Sequence, residues 1–219
     1  MCAPSATLGA MPDEQARYEA ITAAALEGFV AKHAVRERAI PLSRTVIRTS
    51  ANAIRAVHRN ELEDAKALID TAGALVAETK EMLTDHPDLY FTGYTQDAQK
   101  EYAEACCVYA FIAGTEIPRP ADIGIETASY LNGMAEAASE LRRYILDSLR
   151  RDDDSRCEEL MRQMDDVYNI MVVMDFPDAL TSGLRRTTDQ LRGVLERTRG
   201  DLTMTMRQRR LERLLAERE

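Results

Sequence analysis

Residues 100–114 read KEYAEACCVYAFIAG, and the way this stretch folds decides the architecture. At about 100° per residue, Glu101 and Glu104 share a helical face with Val108, Phe111 and Ile112. That face is expected to be buried. Two carboxylates therefore stand at the head of a core stripe, which packing alone does not explain.

The same helical chemistry extends outward in both directions. β-branched alternation is scarce, and Ala, Leu, Glu, Arg and Met dominate nearly everywhere. Pro12 opens a helix running to about residue 37. Pro41 is expected to break or kink the chain before a long helix over about 42–83, with an interruption near Asn60. TDHPDLYFTGY (84–94) reads as a loop, and a helix follows over about 95–113. GTEIPRPADIG (114–124) connects it to a helix over about 123–150. In RRDDDSR (150–156) an Asp is expected to cap the next helix, over about 156–173. Pro177 starts a last segment to about residue 215, with a break at Gly200. No linker is rich enough in Gly or Ser to separate domains. The expected fold is all-α: a single antiparallel bundle of six or seven helices over residues 15–215, behind a flexible N-terminus of residues 1–14.

The composition is that of an ordinary globular chain: 219 residues, 45% hydrophobic and 30% charged. No run approaches the roughly 18 apolar residues of a membrane span. The first residues lack a basic segment followed by an apolar block, so no secretory signal is read and a cytoplasmic location is expected. Cys2, Cys106, Cys107 and Cys157 have no metal-ligand spacing and read as small buried hydrophobes. His33, His58 and His86 are too scattered for a zinc motif. The net charge of −9 argues against a polyanion partner, but 24 of the 28 basic residues are Arg. Arg makes bidentate contacts to phosphate that Lys cannot, although genome composition or salt adaptation also produces such a bias.

Two features carry chemistry. Arg44, Arg48, Arg55 and Arg59 fall within about 60° of one another on a helix, forming a stripe about 22 Å long. Lys66 joins them if the helix continues. Leu42, Val46, Ala53 and Val57 lie opposite and are expected in the core. No acid lies in the basic sector, so the stripe reads either as a phosphate-binding face or as a solvated one. With 5% aromatics and no Trp, readers that stack bases on aromatic sheets are disfavoured. The second feature is Glu136 and Glu140, which share a face with Ser129, Gly133 and Ala137. These small residues would let another helix approach closely. If that helix is the one carrying Glu101 and Glu104, four carboxylates converge. They would need a cation, and all-oxygen ligands suit Mg²⁺ or Mn²⁺. Otherwise the two acids are simply wet.

These segments resemble the translin family, nearest to the catalytic branch typified by translin-associated factor X. EYAEA (101–105) is similar to that branch's EYVEA pattern, and SYLNGMAEAASELRR (129–143) looks like its DYLLGVADLTGELMR pattern. LSRTVIRTSANAIRAVHR (42–59) and LRRTTDQLRGVLERTRGDL (184–202) resemble a Ser-Arg segment and a C-terminal helix of the family. The likeness covers roughly residues 15–203. It implies a helical bundle assembled into a hollow homo-oligomer, often an octamer. It also implies four acids that ligate divalent metal and cleave RNA, which fall here on Glu101, Glu104, Glu136 and Glu140. Glu136 stands where the pattern has Asp, Ser129 where it has Asp, and Asn132 where it has Leu. The resulting expectation is an endoribonuclease dependent on Mg²⁺ or Mn²⁺ and acting mainly on single-stranded RNA. Arg44, Arg48, Arg55 and Arg59, together with His58, would hold the RNA backbone. The alternative is a non-catalytic oligomer of the translin type that binds RNA or single-stranded DNA, and a third is a helical adaptor.

Overall fold

Every element of the computed structural model, which describes residues 12–217, is a helix. Six are long: α1 (Pro12–His58), α2 (Leu62–Met82), α4 (Gly93–Ala113), α5 (Thr127–Arg150), α6 (Cys157–Val172) and α8 (Leu184–Ala216). Two are single turns, α3 (Pro87–Tyr90) and α7 (Asp178–Thr181). Residues 1–11, including Cys2, lie outside the described residues.

The first helix corrects the expected break. α1 passes through Pro41 without interruption. A proline inside a helix costs about 3 kcal/mol or more, but here Ala39, Val46, Ala53, Ile54 and Val57 bury the flanking turns and offset it. The chain turns at Asn60, where an interruption is expected and whose φ of 62° is left-handed. Asn tolerates that region better than most side chains, and the Asn60 and Glu61 amides close the helix end on the carbonyls of Val57 and Ala56. α1 and α2 thus form a helical hairpin.

Other boundaries move for local reasons. Gly114, at φ 69°, is the left-handed stop of α4. The supposed loop 84–94 contains the turn α3, opened by Pro87. α6 has no side-chain cap; Asp153 spends its carboxylate on the Ser155 amide and hydroxyl, at 3.0 and 2.6 Å. The last segment breaks not at Gly200 but at Ser182 and Gly183, both left-handed.

α4 packs on α1, α2 and α5, while α5 packs on α4, α6 and α8. The α4–α5 seam therefore joins two helical layers. Its closeness comes from Gly133: a Cβ there would press on the Lys100 carbonyl and lie 2.8 Å from Ala103 Cβ and 2.9 Å from the Glu104 amide. Phe111, Leu141, Ile145, Leu160 and Met164 fill the core around this contact. Cys106, Cys107 and Cys157 are buried, and burial pushes the first two thiols up to about 12. No helix among the described residues is long and apolar enough to cross a membrane.

Gly133→Ala is expected to destabilise the fold by about 1–3 kcal/mol, because backbone cannot move aside. Gly200→Ala, on a helix with open space around the new Cβ, is expected to be neutral or to stabilise by up to about 1 kcal/mol. Thermal unfolding of the two variants checks the contrast.

Candidate metal centre and basic face

The close seam brings α4's first turns against the middle of α5. Glu101 and Glu104 sit one turn apart on α4, and Glu136 reaches over from α5. One carboxylate oxygen from each lies within 4.8 Å of the others. Three partly buried acids at this spacing repel, and the molecule answers with one cation of its own. Lys100 Nζ lies 2.6 Å from Glu136 Oε2 and 3.3 Å from Glu101 Oε1. Burial pulls the Lys100 ammonium downward, but the hydrogen bond and charge of Glu136, then those of Glu101, outweigh it and raise its pKa.

Glu104 has no such partner: among the described residues it makes no hydrogen bond and no ion pair. Burial pushes its carboxyl up to about 8, and the charges of Glu101, Glu136 and Glu140 add to the rise. Lys100 opposes this only partially.

Glu140 stands apart from the other three. Its Oε1 is 2.7 Å from His58 Nε2 and 3.6 Å from an Arg143 nitrogen. The His58 hydrogen bond, working against burial, holds the Glu140 carboxyl below its ordinary range. Glu140 is thus tied to His58, beside the three-oxygen cluster rather than within it, though its charge still reaches Glu104. One expectation is corrected. His58, whose side chain is 3% exposed, points inward from α1 and cannot touch a phosphate backbone.

The donor set fits a hard divalent ion. It offers three carboxylates, one of them uncompensated, and no nitrogen or sulfur. Ligand oxygens around octahedral Mg²⁺ lie roughly 3–4 Å apart, so small rotamer adjustments would close these three around it.

On the outside of α1, Arg44, Arg48 and Arg55 are exposed and make no ion pair among the described residues. Arg55 takes an Asn52 oxygen at 2.6 Å. Arg59 is different. It follows the helix end and is clamped by Glu61 through both carboxylate oxygens. Lys66 lies beyond the Asn60 break and pairs with Asp70.

Sequence reasoning missed two features of the site. Lys100 stands one residue before Glu101 and one turn before Glu104, so its reach was inferable. The other feature is a cleft of about 430 Å³ beside the carboxylates, bounded by α4, α5 and the start of α8. No local signal predicts it, because the α8 docking is long-range.

No protein-family model matches the chain. An uncharacterised protein of Methanocaldococcus jannaschii is 30% identical over 174 residues, which span 78% of this chain and 76% of that protein. AfC3PO, solved as a complex with duplex RNA, is 31% identical with a TM-score of 0.79, covering 86% of this chain and 97% of its own. C3PO is the complex of translin with translin-associated factor X. The chain belongs to the translin family. Apo-NeC3PO, at 18% identity, shares this translin-family fold with a TM-score of 0.74 over 90% of the chain. The position where the family pattern has Leu holds Asn132, buried against α7 and α8. It donates to the Thr181 carbonyl at 2.9 Å and accepts from the Thr187 hydroxyl at 2.7 Å.

The raised Glu104 pKa has a definite sign in stability. Unfolded, this carboxyl titrates in the ordinary range; folded, it holds its proton to about pH 8. Folding is therefore favoured by protonated Glu104, and stability is lost as pH climbs from the ordinary carboxylate range through about 8. In EDTA the unfolding midpoint should fall over that interval. Glu104→Gln should flatten the fall and raise the midpoint at pH 8, as followed by circular dichroism.

Proposed function

We propose that this translin-family chain is a divalent-metal-dependent endoribonuclease that cuts mainly single-stranded RNA and works as a homo-oligomer. The observation that carries the reading is the convergence of Glu101, Glu104 and Glu136 oxygens within 4.8 Å. These residues would hold Mg²⁺ or Mn²⁺, which supplies Lewis acidity at phosphorus and hydroxide near neutral pH. Lys100 keeps the α4 and α5 carboxylates in one place by bridging Glu101 and Glu136. Glu140 engages His58 and Arg143 through Oε1, which leaves Oε2 to accept a hydrogen bond from the attacking water. Its lowered basicity suits orienting that water better than deprotonating it.

Arg44, Arg48 and Arg55, which make no ion pair among the described residues, present guanidinium groups for the RNA backbone. The duplex RNA bound by AfC3PO supports RNA as the partner. Assembly, with an octamer as the specific expectation, is supported by large apolar side chains left bare along α1: Tyr18, Ile21, Leu26, Phe29 and Val30 are all more than half exposed.

One observation favours the non-catalytic alternative, an oligomer that binds RNA or single-stranded DNA. Lys100 already puts a positive charge between Glu101 and Glu136, so some of the repulsion is relieved without metal. Labelled single-stranded RNA distinguishes the two readings. With Mn²⁺ the chain should cleave it. EDTA, or the double substitution Glu101→Ala and Glu104→Ala, should lower the rate by roughly 10²-fold or more while RNA binding persists. Activity that survived both treatments would remove the metal-carboxylate mechanism.

The basic face makes a separate prediction. Replacing Arg44, Arg48 and Arg55 together by Ala should make the log–log salt dependence of single-stranded RNA binding shallower by about 2, at roughly 0.7 per lost contact. Filter binding over a range of KCl concentrations measures this.

A further inference from the structure

We propose that the cleft between α4, α5 and the start of α8 seats one unpaired ribonucleotide, and so selects unpaired positions in the RNA. This rests on the reading that the chain acts on RNA and adds a place and a preference to it. The cleft's volume of about 430 Å³ falls in the range of sites that enclose a small ligand, roughly 300–1,000 Å³. A paired nucleotide keeps its base inside the duplex and cannot be surrounded by such walls. A nucleotide from a single strand or a bulge can.

The cleft meets the carboxylate cluster at Glu136, which belongs to both, and at Lys100, which lines the cleft and pairs with Glu136 and Glu101. An occupant would therefore reach the cluster at the Lys100–Glu136 ion pair, with Glu101 and Glu104 on its far side. The remaining walls offer the groups a nucleotide needs. Arg186 is exposed and makes no ion pair or side-chain hydrogen bond among the described residues, whereas Lys100 is already engaged by Glu136. Arg186 is thus the cation available to a phosphate. Asp97 on α4 is exposed and supplies an acceptor for a ribose hydroxyl, and Gln190, one turn beyond Arg186, offers a donor and an acceptor to a base edge. With Lys100 and Arg186 set against Asp97 and Glu136, the lining is balanced in charge. That suits a single phosphate rather than a long polyanion, which the outer face of α1 would track.

The wall that carries Arg186 is held in place. Ser182 and Gly183, with φ of 52° and 79°, turn the chain sharply into α8. Buried Asn132 ties both sides of this turn to α5 through Thr181 and Thr187. A seat fixed in this way loses little freedom on binding.

The full-length chain in EDTA, so that no strand is cut, provides the test. Two RNAs carry a single 4-thiouridine, one in an unpaired run and one inside a duplex, and crosslinked peptides are identified by mass spectrometry. The unpaired probe is expected to label residues within 96–100 or 182–190, and the paired probe is not. Arg186→Gln is expected to weaken single-stranded RNA binding about tenfold, to change duplex binding less than twofold, and to leave the unfolding midpoint in place. Crosslinks from the unpaired probe confined to residues 44–59, or equal losses on both RNAs, overturn the proposal. Labelling of the cleft in a chain that never cleaves RNA with Mn²⁺ supports the seat and removes the hydrolase reading. Metal-dependent cleavage with crosslinks only elsewhere does the reverse.

Discussion

Helices α4 and α5 approach so closely that a methyl group at residue 133 has no room beside Lys100, Ala103 and Glu104. That contact places side chains from two distant regions of the sequence in one small volume. It does so because Gly133 and its neighbours Ser129 and Ala137 carry so little bulk. A larger residue would hold the helices apart, and Glu136 would face solvent instead of Glu101 and Glu104. Steric permission at the seam is therefore the condition for the electrostatic problem beside it.

The responses to that problem are graded. Glu140 has a neighbouring His58 and an arginine, and its carboxyl is held below the ordinary range. Glu101 and Glu136 share Lys100. Glu104, with the least help, has its carboxyl driven up to about 8. The single Lys100 offsets only part of the charge of three clustered carboxylates, and the remainder falls on Glu104. A fully paired set would be a structural knot, and an unpaired set would prise the seam open.

The all-helical architecture was legible because helix formers and apolar spacing agree over most of the chain. Val46, Ala53 and Val57 went to the core as the α1 periodicity predicts, and Leu42 is partly buried. The errors share a cause. Pro41 and Gly200 are local helix breakers overruled by packing along α1 and α8, and Ser182 reverses the chain with little local advertisement, whereas the interruption expected near Asn60 is where α1 ends. At the site, each acid pair could be read from its own helix. The meeting of the pairs depends on the tertiary approach of α4 and α5, which the small residues only permit. The His58–Glu140 hydrogen bond joins positions 82 residues apart, and no periodicity encodes it. Read by angle alone, His58 lay near the edge of the arginine sector, where a shift of one helix position decides between water and core.

Arg156 has a mechanical meaning beyond its place in the turn before α6. Its guanidinium grips the carbonyls of Phe111 and Ile112 at the tail of α4, while Glu159 braces it from behind. α4 is thus pinned at its tail by α6 and wedged near its head by Gly133 of α5, like a shaft running in two bearings. Such a shaft resists rolling about its own axis. A loosened rear bearing would leave the glutamates, roughly 15 Å forward at 1.5 Å per residue, held against torsion by the Gly133 contact alone.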